Sequence, residues 1–257
     1  MILAIDIGNT NISIGAYSED RLLFVSRVAT DRSRTEDQYA VEIRQIFHLN
    51  DTTAQGFTGA IISSVVPELT NSIKTAIHKI TKHNPLVVGP GLKNGLKIEV
   101  DNPGQLGADL AAAAVGAIHK YPLPCLVMDL GTATKISVID GRGVFRGVTI
   151  SAGVGISLDA LSQRTSQLPQ ISIEAPESVI GTNTIACMQS GLVCGTACML
   201  DGLCGRIEEE LGERAATIVS TGGYSLEITK ECRRDVVYDP NLLLDGLKVI
   251  YDKNKKQ

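Results

Sequence analysis

Apolar positions recur along this chain in two periods, and the switches between them lay out an order of strands and helices. Met1 to Asp6 is an apolar run closed by an aspartate and followed by the turn Gly8-Asn9-Thr10, which predicts a buried strand. Ile12, Ile14 and Ala16 then alternate with other residues up to Tyr17, and Arg21 to Val28 follows a Ser18-Glu19-Asp20 turn. Together these segments predict a three-stranded antiparallel meander. Tyr39, Ile43, Ile46 and Phe47 have helical spacing over Thr35 to Phe47, as do Leu69, Ile73, Ile77 and Ile80 over Pro67 to His83. Between the two helices lies an apolar strand from Thr58 to Ser64, and short strands are expected at Pro85 to Val88 and Leu96 to Val100.

An alanine-rich helix is expected from Gln105 to Lys120. A second apolar strand, Pro124 to Asp129, then opens a second meander through Lys135 to Ile139 and Val144 to Ile150. Helices follow near Ile156 to Arg164 and over the small-residue stretch Ile185 to Leu211. A strand from Ala216 to Thr221 ends in Gly222-Gly223, and a closing helix spans Asn241 to Asn254. The basic tail, Lys253 to Gln257, reads as a frayed, solvated end.

The two meanders begin alike. Ala4-Ile5-Asp6-Ile7-Gly8-Asn9-Thr10-Asn11 matches Val127-Met128-Asp129-Leu130-Gly131-Thr132-Ala133-Thr134, and Ile12-Ser13-Ile14 matches Ile136-Ser137-Val138. A match through successive elements points to an internal repeat. We therefore expect two similar α/β domains, residues 1–120 and 121–257, each opening with a hairpin whose turn faces a cleft between them. Glycine lets the backbone approach a phosphate and offers its N–H as a donor. Asn9, Thr10, Thr132 and Thr134 add neutral donors, and an aspartate at the strand end can hold a metal ion directly or through water. Two facing hairpins of this kind would clamp a nucleotide polyphosphate. No Walker A pattern and no complete GxGxxG occurs.

Composition narrows the class. The 257 residues are 44% hydrophobic and 20% charged, an ordinary globular balance that excludes a disordered chain. The net charge of -4 disfavours a uniformly basic nucleic-acid binder. The apolar runs are too short to span a bilayer, and no basic region precedes the N-terminal run as a secretory signal requires. The expected setting is the cytoplasm, with neither nucleic acid nor membrane as a partner. The six cysteines include no CxxC pair and read as free, buried thiols, with Cys187, Cys194 and Cys198 at helical spacing on one buried face.

The paired Asp-x-Gly hairpins and the later Thr221-Gly222-Gly223 resemble the actin, Hsp70 and sugar-kinase superfamily, which pairs two ribonuclease-H-like domains. A longer ordered set is more specific. It comprises Asp6-Ile7-Gly8-Asn9-Thr10, Asn102-Pro103-Gly104-Gln105-Leu106-Gly107-Ala108-Asp109 and Asp129-Leu130-Gly131-Thr132-Ala133-Thr134. Ile180-Gly181-Thr182-Asn183-Thr184 with Gln189-Ser190-Gly191, Thr221-Gly222-Gly223, Asp239-Pro240-Asn241-Leu242 and Gly246-Leu247 complete it. In this the chain is similar to the type III pantothenate kinases over residues 1 to about 251.

The resemblance implies ATP-dependent phosphorylation of pantothenate, the first step toward coenzyme A, by a cytoplasmic homodimer. It implies Mg2+ with ATP, and activation by potassium or ammonium. Carried over by position, Asp6, Ile7, Gly8, Asn9, Thr10, Asn11, Ile12 and Ser13 line the phosphates, and Thr132 contacts ATP. Asp109 accepts the proton, and Asp129 holds the monovalent cation. Val100, Gly107, Ala108, Asp109, Leu110 and Thr184 face pantothenate. Asp109 precedes an alanine run and so falls in the first turn of a helix, where the dipole suits a negative charge.

Departures from the family pattern cluster on the acceptor side. Leu110 stands where the family has arginine, Val100 where it has tyrosine, and Lys135 follows Thr134 where threonine is usual. Losing one charge-assisted contact costs about 1.5–3 kcal/mol, and Lys135 or Arg146 are candidates to restore the charge. Two alternatives stand beside the kinase reading: a changed small-molecule acceptor, and a non-catalytic nucleotide-binding regulator.

Overall fold

The computed structural model describes residues 1–255. Strands β1 (Ile2–Ile7), β2 (Asn11–Ser18) and β3 (Arg21–Ala29) form the first antiparallel meander. Helix α1 (Glu36–Leu49) starts at a capping box: Thr35 accepts from the Gln38 N–H, and the Gln38 side chain accepts from the Thr35 N–H. Its buried stripe is Tyr39, Ile43, Ile46 and Phe47, as the spacing predicts. Strand β4 (Gly59–Ser64) pairs parallel with β1, helix α2 (Pro67–Thr81) buries Leu69, Ile73 and Ile77, and β5 (Leu86–Val87) pairs parallel with β4. The resulting sheet has the order β3-β2-β1-β4-β5. One core holds Leu3, Ile5, Ile7, Ile12 and Ile14 against α1 and α2; burying each such side chain is worth about 1.5–3 kcal/mol.

Strand β6 (Lys97–Ile98) leaves this sheet for the edge of the second, where it pairs parallel with β9. Helix α3 (Ala108–Lys120) follows, three residues shorter at its start than the spacing predicts because Pro103–Gln105 forms a separate 3₁₀ turn.

The second meander comprises β7 (Cys125–Leu130), β8 (Ala133–Ile139) and β9 (Val144–Ala152). After it come α4 (Val154–Arg164), α5 (Thr184–Gln189), a π-helical turn (Ser190–Cys194) and α6 (Gly195–Leu211). Strand β10 (Thr217–Thr221) pairs parallel with β7, and the short α7 (Ser225–Thr229) and β11 (Val237–Tyr238) were not legible in the periodicity. The order β11-β10-β7-β8-β9-β6 repeats the first sheet, with β6 added at the far edge. Two mixed sheets with flanking helices, related as an internal repeat, are the α/β architecture expected of ribonuclease-H-like domains.

Helix α8 (Leu242–Asn254) returns to the first unit. The two compact units are residues 1–96, 101–119 and from 242 onward, and residues 97–100 with 120–241. A single cut near residue 120 therefore does not describe them. Leu244, Leu247 and Ile250 of α8 share a core with Ile2, Ala4 and Tyr17, and Gly116 and Gly246 let α3 and α8 touch at the backbone. The expected frayed tail is ordered through Asn254, whose amide donates to the Lys93 carbonyl at 2.7 Å; Lys256 and Gln257 lie outside the described residues.

The cysteine expectation needs correction. Cys125 and Cys204 are buried, but Cys187 and Cys198 are exposed and Cys194 is half-buried. The π turn offsets Cys187 from the later two, while Cys194 and Cys198 remain four residues apart on one side of α6, a side that is not covered.

Candidate active site

In the first unit the β1–β2 hairpin carries Asp6 at the next-to-last position of β1, opposite Ser13 in β2 and beside Ser63 in β4. Gly8, Asn9, Thr10 and Asn11 make a four-residue turn, with Asn9, Thr10 and Asn11 exposed. The Gly8 N–H is not offered outward as expected: it donates to the Asn11 carbonyl at 3.0 Å and closes the turn. Ile7 and Ile12 are core residues, so only their backbones can serve a ligand.

The turn is fastened from the residue just after β3. The Thr30 hydroxyl donates to the Gly8 carbonyl at 2.7 Å, and the Thr30 N–H donates to the Thr10 carbonyl at 2.9 Å. Arg32 donates to Asn9 Oδ1 at 3.1 Å. Sequence reasoning missed Arg32 as a cation at this turn; its place just past the end of the third strand was the available signal.

The start of α3 belongs to the same unit. Asp109 lies in its first turn, and its Oδ1 accepts from the Leu110 N–H at 2.8 Å. A side chain at Gly107 would come within 2.5 Å of that oxygen, so glycine there is a condition of the carboxylate's pose. Ala108 and Leu110 flank it, both half-buried.

In the second unit the β7–β8 hairpin places Asp129 opposite Lys135. Lys135 Nζ is 2.7 Å from Asp129 Oδ2, and the two side chains are only 15% and 23% exposed. The turn, Gly131-Thr132-Ala133, has three residues, and Gly131 closes it by donating to the Ala133 carbonyl at 3.2 Å. Thr132 is exposed at its tip.

Two glycines hold this hairpin. A Cβ at Gly153 would come 2.3 Å from the Thr132 carbonyl oxygen. One at Gly222, where φ is +99°, would come 2.6 Å from the Leu130 backbone. No L side chain fits either contact.

Lys135 and Arg146 do not stand free to receive a substrate carboxylate. Lys135 is on Asp129, and Arg146 pairs with Glu99, bracing β6 against β9. Asp129 is also where the resemblance places a monovalent cation. The residues present do not fit one, since an ammonium group already occupies that carboxylate.

Val100 lies just beyond β6 in the second unit, half-buried. Thr184 opens α5, which Asn183 caps by accepting from the Ala186 N–H at 3.0 Å. Thr184 lines a cavity of about 800 Å³ within that unit, together with Leu161, Leu168, Met188 and Leu192. The cavity was not foreseen. Its wall combines residues from α4, the loop after it, α5 and the π-helical turn, which sequence order does not show to be neighbours. No described helix is long and apolar enough to cross a membrane.

A repeated mixed sheet with an Asp-x-Gly hairpin in each copy defines a protein of the actin-like ATPase and sugar-kinase fold. Two solved structures agree at the level of fold. One is described as a putative 2-dehydro-3-deoxygalactonokinase from Sinorhizobium meliloti, with TM-score 0.63, 12% identity, and coverage of 98% of this chain and 96% of that one. The other is described as a conserved putative Baf family transcriptional activator from Campylobacter jejuni, with TM-score 0.62, 18% identity, and coverage of 98% of both chains. Sequence is more specific than either. The family model described as type III pantothenate kinase matches residues 2–206. A type III pantothenate kinase of Exiguobacterium sibiricum is 42% identical over 255 residues, covering 99% of this chain and 100% of that protein. The chain belongs to the type III pantothenate kinase family.

Proposed function

We propose that this chain transfers the γ-phosphoryl group of MgATP to the primary hydroxyl of pantothenate, the first step of coenzyme A biosynthesis. The observation that carries the reading is the full-length similarity to type III pantothenate kinases, with the shared motifs falling at strand ends, turns and the start of α3.

The chemistry divides between the elements. The β1–β2 turn, with Asp6, Gly8, Asn9, Thr10, Asn11 and Ser13, faces the phosphates and their Mg2+, and Arg32 beside Asn9 adds positive charge there. Thr132 contacts ATP from the second hairpin. Asp109 acts as general base. A primary alcohol does not ionise at neutral pH; a carboxylate within hydrogen-bond reach orients the hydroxyl and takes its proton as oxygen attacks the γ-phosphorus and ADP leaves. The Leu110 N–H donates to one oxygen of that carboxylate at 2.8 Å and fixes its pose at the start of α3. Gly107, Ala108, Leu110, Val100 and Thr184 complete the acceptor side; Leu110 brings no charge to the pantothenate carboxylate, so acceptor affinity is the weaker half of the design.

We also propose a homodimer in the cytoplasm. Val179, Ile180 and Ile185 stand exposed on the second unit, as do the Cys187 and Cys198 thiols. Apolar groups clustered this way favour coverage by another protein surface. A monomeric mass by light scattering overturns the dimer.

The kinase is tested by ADP release with MgATP, with and without millimolar pantothenate. Stimulation by pantothenate, lost by about 10²–10⁴-fold in Asp109→Asn, is the expected result. Nucleotide binding without stimulation would favour the regulator, or a different acceptor.

A further inference from the structure

Across the second hairpin, Asp129 and Lys135 are a directly opposed cross-strand pair whose charged atoms meet at 2.7 Å. At the corresponding place in the first hairpin Asp6 faces a neutral serine, Ser13. The fold therefore does not require a lysine there; this copy has one. We propose that the Lys135 ammonium permanently supplies the monovalent positive charge at Asp129, so that nucleotide binding and turnover in this chain need neither potassium nor ammonium ions. The inference rests on the kinase reading of the second hairpin, and it deepens it.

The chemistry is that of a tethered ion. An ε-ammonium is a compact point charge close in behaviour to a free monovalent cation. A polyphosphate approaching this turn would be repelled by a bare Asp129 carboxylate; the paired one presents no net charge. Because the lysine is on the adjacent strand, its effective concentration at the carboxylate far exceeds that of a dissolved ion. The pair is largely screened from water, so salt weakens it less than an exposed pair. A potassium ion seeking the same carboxylate would meet the ammonium's charge at contact distance. The neighbouring cation on the same meander, Arg146, is committed to Glu99 and leaves this role to Lys135.

The test measures the affinity for a non-hydrolysable MgATP analogue by calorimetry, and pantothenate-stimulated ADP release, at about 0.1 M potassium chloride and at the same ionic strength of tetramethylammonium chloride. The native chain should show affinities and rates within about twofold of each other in the two salts. Lys135→Thr should bind the analogue roughly tenfold more weakly in tetramethylammonium and recover in potassium. The inference is overturned if withdrawing potassium weakens analogue binding to the native chain fivefold or more, or if a folded Lys135→Thr is indifferent to potassium. Should that variant not fold, as its melting curve would reveal, the native comparison decides alone. Potassium-independent binding without stimulation by pantothenate would sink the kinase reading and spare this one; potassium-dependent binding with stimulation would do the reverse.

Discussion

The two hairpins begin from the same apolar strand and Asp-x-Gly turn, yet they are held in place differently. The first turn has four residues and is tied down by hydrogen bonds from Thr30, with Arg32 on Asn9. The second has three residues and is wedged between Gly153 and Gly222, whose missing side chains let backbone meet backbone. Opposite the aspartate stands a serine in one copy and a lysine in the other. A duplicated element thus keeps its strand pairing while its support and charge diverge. The first copy sets its aspartate opposite a neutral hydroxyl; the second sets its aspartate opposite an ammonium.

The largest expected effect tests the wedge. Gly222→Ala must relieve a 2.6 Å approach to the Leu130 backbone at a φ of +99°. It should cost about 3 kcal/mol, a fall in Tm of roughly 6–12 °C. Gly8→Ala, whose Cβ meets only the Asn11 carbonyl at 3.0 Å, should cost less than about 1 kcal/mol. Equal losses would erase the distinction between the two supports.

Alkaline pH should separate the units next. All six cysteines lie in the second unit. Burial pushes the Cys125 and Cys204 thiols up to about 12, so the folded chain keeps them neutral where the unfolded chain ionises them. The stability they provide is whole below the unfolded thiol value of about 8.5 and is lost as pH rises toward the folded value. At pH 10, about 1.5 units above the unfolded value, each should cost the second unit about 2 kcal/mol. Calorimetry that showed the first unit melting earlier at high pH would contradict this. The smallest effect tests the tie: Thr30→Val removes the 2.7 Å bond to the Gly8 carbonyl and should lose about 1 kcal/mol or less. A severalfold weaker affinity for the ATP analogue should accompany it, read by calorimetry.

Most of the fold was legible because strand and helix periods are distinct and the repeat starts with a strong apolar run. The register across the second hairpin was not. Matching the Ile-Ser motifs sets Ser13 against Ser137, which makes the second copy one residue longer, but strand pairing makes Lys135 the counterpart of Ser13, because the second turn is in fact one residue shorter. The discrepancy is two residues, which preserves the face of every side chain and so leaves no trace in hydrophobic alternation. The Asp-x-Gly signal located both turns, but it could not show that each glycine N–H is spent within its own turn. Nor could it show the glycine wedges, which join positions more than twenty residues apart. Helix α8 was legible as a helix but not as part of the first unit, since its apolar face would suit either sheet.

The return of α8 has a consequence for how the protein is made. A chain emerging from the ribosome presents β1 long before α8, and Ile2 and Ala4 are not covered by Leu244, Leu247 and Ile250 until residues 242–254 have been synthesised. The second unit, whose main segment is continuous from residue 120 to 241, has that stretch complete before then. The part translated first is therefore finished last, and throughout elongation one aliphatic face of its sheet is an opening for chaperones or for premature association with neighbouring nascent chains.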